Sequence, residues 1–205
     1  MELVAIDIEG SGAQDRDHEA ILEIALVPIV DWHPDMGSSY CTLINPERRI
    51  PRRPWISPGI TDAVLRDAPT LARVEPELAR RINDKYLVGH NVGVDWRLLH
   101  RRCPNITPSG LIDTLRLARC LGSAGSKTLG TIVERLGLTK EINRLAARSV
   151  PHRALWDAVA AALLSTTLAR QTYGRAGDID TLIAAAGIPT AGTSSADTSQ
   201  PRLFD

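Results

Sequence analysis

The chain has 205 residues, enough for one α/β domain with a proper core, and its 43% hydrophobic and 23% charged content is ordinary for a globular protein. With 24 basic and 24 acidic side chains the formal net charge is zero, so the electrostatic footprint of a duplex-coating protein is missing. A nucleic-acid partner is still compatible with this balance, because an enzyme that grips one chain end needs only a local basic patch.

Residues 3–9 read as a first strand, apolar except for Asp7 and Glu9. Residues two apart on a strand point to one face, so both carboxylates project together. Burying two like charges side by side is costly unless something neutralises them, and the usual neutraliser is a hard divalent cation such as Mg²⁺. Gly10-Ser11-Gly12 and residues 13–19 form a loop. Residues 20–30, interrupted by Glu23, fit a central strand, and residues 39–44 a third one closed by Asn45-Pro46. Three strands in succession suggest an antiparallel meander.

The proline-rich stretch 51–69 is irregular but ordered, punctuated by Trp55, Ile56, Ile60 and Leu65. Leu71, Val74, Leu78 and Ile82 stand at helical spacing and predict a helix over 71–82. A short strand over 86–89 ends at His90-Asn91, and a helix over about 94–102 stops before Pro104. Residues 111–113 form a further strand end leading into a helix through Leu121; another helix spans 128–136 and stops at Gly137. The longest helix runs over 154–173. Glu23 and Asp113 read either as groups supporting the acidic site from behind or as local hydrogen-bond acceptors, the structural role being favoured, and Trp32, Trp55, Trp96 and Trp156 as packing residues. After Pro189 the chain turns to Ala, Gly, Thr, Ser, Asp and Gln, which predicts disorder. The expected architecture is α/β, a mixed sheet flanked by helices over 1–188, followed by a tail over 189–205.

Cys41, Cys103 and Cys120 cannot pair evenly and show no metal-ligand spacing, so a reduced, cytoplasmic protein is expected. No stretch approaches the length of a membrane span, and no basic-then-apolar signal opens the chain.

Asp95 falls just past the predicted strand at 86–89, at the start of a helix, and Asp157 near the start of the longest helix. A mixed α/β sheet builds its clefts at such places. If the three elements converge, Asp7, Glu9, Asp95 and Asp157 could hold two divalent ions roughly 3.5–4 Å apart, one to activate water and one to stabilise a leaving oxygen. His152 precedes Asp157 by five residues, about 140° around a helix, so the two would not share a helical face. Pro151 instead favours an irregular lead-in, with His152 on a loop that suits a general base taking a proton from the attacking water.

Asp7-Ile8-Glu9-Gly10-Ser11-Gly12, Gly89-His90-Asn91-Val92-Gly93-Val94-Asp95 and His152-Arg153-Ala154-Leu155-Trp156-Asp157-Ala158 together resemble the three motifs of DEDDh 3′–5′ exonucleases, in the right order and spacing over about residues 3–170. That family includes the proofreading epsilon subunit of bacterial DNA polymerase III. The resemblance implies a ribonuclease H-like fold, two Mg²⁺ or Mn²⁺ ions on Asp7, Glu9, Asp95 and Asp157, and His152 as the base. It implies release of nucleoside 5′-monophosphates from a 3′ end. Gly10, Ser11 and Gly12 would approach the terminal nucleotide, with His90 and Asn91 lining the facing wall. Three departures touch this pocket: the family usually has Thr-Thr at Gly10-Ser11, an aromatic at Val94 and a His at Pro58.

Phe204, the chain's single Phe, sits beside Leu203 at the end of the polar tail. Gln200-Pro201-Arg202-Leu203-Phe204 resembles peptides that bind the bacterial sliding clamp, with Gln200, Leu203 and Phe204 as the contact residues. A flexible tether of this kind would raise local enzyme concentration at a DNA 3′ terminus. The tail and the Trp156 form of the third segment favour DNA over RNA as substrate. RNA 3′-end trimming and a catalytically silent polymerase or clamp adaptor are the alternatives; retention of all five acidic and histidine residues speaks against the adaptor.

Overall fold

A computed structural model describes residues 1–12, 18–50, 54, 56–120, 125–174 and 179–190. Seven strands form one mixed sheet: β1 (Leu3–Gly10), β2 (Ile21–Val30), β3 (His33–Pro34), β4 (Tyr40–Leu43), β5 (Tyr86–Gly89), β6 (Gly110–Asp113) and β7 (Gly187–Ile188). The order is β3-β2-β1-β5-β6-β7, and β4 also pairs with β2. Strands β1 to β4 are antiparallel, β5 and β6 continue parallel to β1, and β7 closes the far edge antiparallel to β6. The meander is therefore as expected, with the two-residue β3 added to it.

Alternation along β1 divides the core into two layers. Leu3 and Ala5 join Ala25, Val27, Val88 and Ile112 on one face of the sheet. Val4 and Ile6 join Ile24, Leu26, Leu87 and Leu111 on the other. The first face packs against α7 (Ala154–Tyr173), whose Ala158, Ala160, Ala161 and Ala162 are fully buried. Helices α4 (Thr114–Cys120), α5 (Leu129–Arg135), α6 (Thr139–Leu145) and α8 (Ile179–Ala186) complete that layer. The second face is covered by α2 (Leu71–Ile82) and α3 (Gly93–Arg102), through Val74, Leu78, Ile82, Trp96 and Leu99.

Residues 56–60 lead into α1 (Asp62–Arg66), capped by Thr61, whose hydroxyl accepts from the Val64 N–H at 3.3 Å. Ile60 and Leu65 are buried with Leu22, so this part of the proline-rich segment is ordered. Trp96 and Trp156 are core residues: the Trp156 indole N–H donates to Asn143 at 2.8 Å, and that of Trp96 to the Thr190 carbonyl at 3.3 Å. Trp32 packs at the core's edge, while Trp55 lies outside the described residues, as do 191–205 with Gln200, Leu203 and Phe204. The three cysteines are free, and among the described residues no helix is long and apolar enough to cross a membrane.

Candidate active site

The odd-numbered side chains of β1 face α7, and Asp7 and Glu9 continue that face past Leu3 and Ala5. Asp157, in the first turn of α7, points back toward them. Asp7, Glu9 and Asp157 each offer a carboxylate oxygen within 4.8 Å of the others. Asp95 comes from the first turn of α3, reached through a turn after β5 in which Asn91 takes a left-handed φ of 63°. β5 pairs with β1 only from Leu3 to Ala5, so the Ile8 N–H lacks a strand partner on that side. Asp95 Oδ1 accepts that hydrogen bond at 2.9 Å, which docks α3 onto β1 between Asp7 and Glu9.

Burial and mutual repulsion both resist ionisation of this group. Asp7 is held well above the usual carboxylate range, first by burial and then by the charges of Asp95, Asp157 and Glu9. Burial pushes Asp95 up to about 8, against the stabilising Ile8 N–H. Asp157 is raised to about 7 by burial and by Glu9, offset by the backbone N–H of His152. Glu9 is raised to about 7 by burial, with a hydrogen bond from the Ser57 hydroxyl pulling the other way. An all-oxygen donor set of this kind, too negative to ionise fully alone, fits a hard divalent cation.

His152 sits in the turn ahead of α7, exposed, with a left-handed φ of 65° that is uncommon for a residue bearing a Cβ. The irregular lead-in expected after Pro151 is present, and the helix begins two residues later. Next to it, Arg153 forks onto Glu23 of β2, with Nε to Oε2 at 2.8 Å and Nη2 to Oε1 at 2.6 Å. Glu23 also accepts the Ala154 N–H at 3.1 Å. Neither Ser57 nor the role of Arg153 is legible from sequence spacing. Ser57 lies 48 residues from Glu9 in the irregular proline-rich stretch, and the Arg153–Glu23 pair spans 130 residues.

Beside the carboxylates, Gly10 ends β1 at a register shift next to Glu9, close under the Leu98 and Glu19 side chains. Gly12 takes a left-handed φ of 58°. Ser11 is buried and its hydroxyl accepts the Ala20 N–H at 3.0 Å, closing the base of the loop. His90 is committed internally: Nε2 meets the Lys127 carbonyl at 2.8 Å and must donate, so Nδ1 accepts from the Thr114 hydroxyl at 2.9 Å. Burial lowers its pKa, consistent with that neutral form. The Asn91 N–H donates to Asp113 Oδ1 at 2.9 Å, and the same oxygen takes the Leu115 N–H at 2.8 Å. Asp113 is thus a local acceptor that sets the turn carrying His90 and Asn91. Away from the site, a cavity of about 340 Å³ near the start of β1 is lined by Arg80, Arg81 and Lys85, whose charges are met by Glu77 and Glu2.

The sequence profile of the exonuclease family RNase_T matches residues 4–164. Among curated proteins, the chain is 35% identical over 141 residues to a PolC-type DNA polymerase III of Thermotoga petrophila, covering 66% of this chain. It is 31% identical over 166 residues to a DNA polymerase III subunit epsilon-like protein of Rhodobacter capsulatus, covering 79% of this chain. The chain spans only 10% and 23% of the lengths of those two proteins. Among solved structures, exonuclease X in complex with 5′-overhanging duplex DNA superposes with a TM-score of 0.63 at 27% identity, covering 85% of this chain and 95% of that one. The ribonuclease H-like architecture expected from the motifs is the one observed.

Proposed function

The chain belongs to the exonuclease family, and on that premise we propose that it is a metal-dependent 3′–5′ exonuclease acting on DNA and releasing nucleoside 5′-monophosphates. The observation that carries this reading is the convergence of Asp7, Glu9 and Asp157, from two distant parts of the chain, with Asp95 docked onto the strand between the first two. Asp7, Glu9, Asp95 and Asp157 would hold two divalent ions, Mg²⁺ or Mn²⁺, which supply activation of water and stabilisation of the departing oxygen. His152 takes the proton of the attacking water, from an exposed turn five residues ahead of Asp157. Gly10 and Gly12 give the backbone close access to the terminal nucleotide, with the Ser11 loop and the His90-Asn91 turn as walls. His90 contributes there by holding the turn's shape, since both its nitrogens are engaged.

The DNA preference is supported by the polymerase III names of the two relatives and by the DNA complex of exonuclease X. An oligodeoxynucleotide carrying a labelled 3′-terminal nucleotide is expected to yield that nucleotide as the first product, as a 5′-monophosphate. His152→Ala should slow that release by about 10²–10⁴-fold. Label retained while shorter products appear from the 5′ end would overturn the reading.

We further propose a division into an exonuclease domain over 1–188 and a tail over 189–205 that docks on the bacterial sliding clamp through Gln200, Leu203 and Phe204, in a cytoplasmic protein. A peptide of residues 195–205 should bind purified clamp and lose binding when Leu203 and Phe204 become Ala. No binding by the unaltered peptide at high micromolar concentration would remove this part of the proposal.

A further inference from the structure

Glu23 carries a charge beneath a site already crowded with carboxylates. It is 4% exposed at the side chain, lies directly across from Glu9 in the β1–β2 register, and adds to the repulsion on Asp7, Glu9 and Asp157. A buried acid in that position is costly unless its charge is paired and hydrogen-bonded. What it holds is Arg153, through two parallel hydrogen bonds, and the first backbone N–H of α7 through Ala154. The remaining arm of Arg153 reaches the Pro58 carbonyl at 3.4 Å, next to Ser57, which bonds Glu9. One guanidinium therefore ties together three pieces of chain: β2, the 57–60 segment, and the start of α7. His152 precedes it with a strained φ of 65°, and Asp157 follows one turn later.

We propose that Arg153, clamped by Glu23, is a positioning residue that fixes His152 and Asp157 against Asp7 and Glu9. This inference rests on the exonuclease reading of the same site. Left-handed backbone at a residue bearing a Cβ has a conformational cost that contacts with its surroundings offset. The fork between Arg153 and Glu23 is such a constraint on the residue next to His152, because a bidentate pair fixes direction as well as distance. Arg153 also offsets the repulsion at Glu9, since its charge favours the ionised form there.

The test compares Arg153→Met, Arg153→Lys, Glu23→Gln and the Glu23→Gln/Arg153→Met double variant with the unaltered full chain. Each is followed by steady-state digestion of a 5′-labelled oligodeoxynucleotide, thermal melting, and amide hydrogen exchange over 152–157. Arg153→Met should lower kcat about 10–100-fold with KM unchanged. Lys, which keeps the charge but not the fork, should restore only part of the loss. The double variant should lose no more than the worse single one, because both break the same contact. Amides at 154 and 157 should exchange faster in Arg153→Met and in Glu23→Gln.

Unaltered kcat and exchange in a folded Arg153→Met variant would overturn the clamp, as would full rescue by Lys. Should Arg153→Met not fold, Arg153→Lys and Glu23→Gln carry the same kinetic and exchange expectations. Absence of cleavage by the unaltered chain would count against the exonuclease reading alone, since the exchange measurement still decides whether the clamp orders this turn.

Discussion

At the scale of single residues, the site is an unfavourable arrangement of charge. Asp7, Glu9, Asp95 and Asp157 all bind protons more tightly in the folded chain than ordinary carboxyls do, with burial the largest cause in each case. A carboxyl whose folded pKa is raised contributes stability that is fully present below about pH 4 and is lost as pH rises through the folded value. For Glu9, Asp157 and Asp95 that value is about 7 to 8. The metal-free protein should therefore melt at lower temperature as pH increases from about 5 to about 8. Mn²⁺ or Mg²⁺ should raise the melting temperature more at the upper end of that range, where the ligands are free of protons. Asp7→Asn should raise the metal-free melting temperature at pH 8 and remove most of the response to metal. A metal-free melting temperature that rises across the same interval, with no metal effect, would contradict this electrostatic account.

At the scale of elements, the site depends on how closely the pieces approach one another. A Cβ added at Gly89, where β5 ends, would lie 2.9 Å from Val92 Cγ2 and 3.1 Å from the Ile6 carbonyl. Neither neighbour can withdraw easily, because Val92 is buried in the turn leading to Asp95 and Ile6 is backbone of β1. At Gly10 the nearest atom, at 2.9 Å, is the tip of the Glu19 side chain, which can swing aside. Gly89→Ala should thus cost about 1–3 kcal/mol in chemical denaturation, and Gly10→Ala distinctly less. Equal losses would mean that the β5–α3 junction does not set the site's geometry.

The same elements show what was legible in the sequence. β1, β2, α2 and α7 are long or strongly periodic, and their limits agree with the pattern of apolar residues to within a residue. Helices α1, α6 and α8 and strand β7 leave no clear mark in the sequence, because each is short and offers at most a few buried side chains. The carboxylates were legible because strand period and helix starts constrain where they point. Ser57 and the Arg153–Glu23 fork were not, because each joins residues that only tertiary folding brings together.

At the scale of the whole molecule, the two-layer core places all of this chemistry at one end of the sheet. Antiparallel pairing of β2 with β1 sets Glu23 beside Glu9, parallel pairing of β5 with β1 brings the α3 start over Ile8, and α7 crosses the face that Asp7 and Glu9 share. The acidic centre and the Arg80, Arg81 and Lys85 cavity lie toward opposite ends of β1. A formally neutral chain can in this way concentrate negative charge at one place, as the proposed hold on divalent cations and a nucleic-acid end requires. The most direct test is digestion of 5′-labelled single-stranded DNA and RNA of one sequence by the full chain, with and without Mg²⁺ or Mn²⁺, beside Asp7→Ala. A ladder shortening from the 3′ end, stronger on DNA, dependent on metal and absent in Asp7→Ala, is the predicted result. Intact strands under every metal condition, or a ladder that persists in Asp7→Ala, would contradict the account.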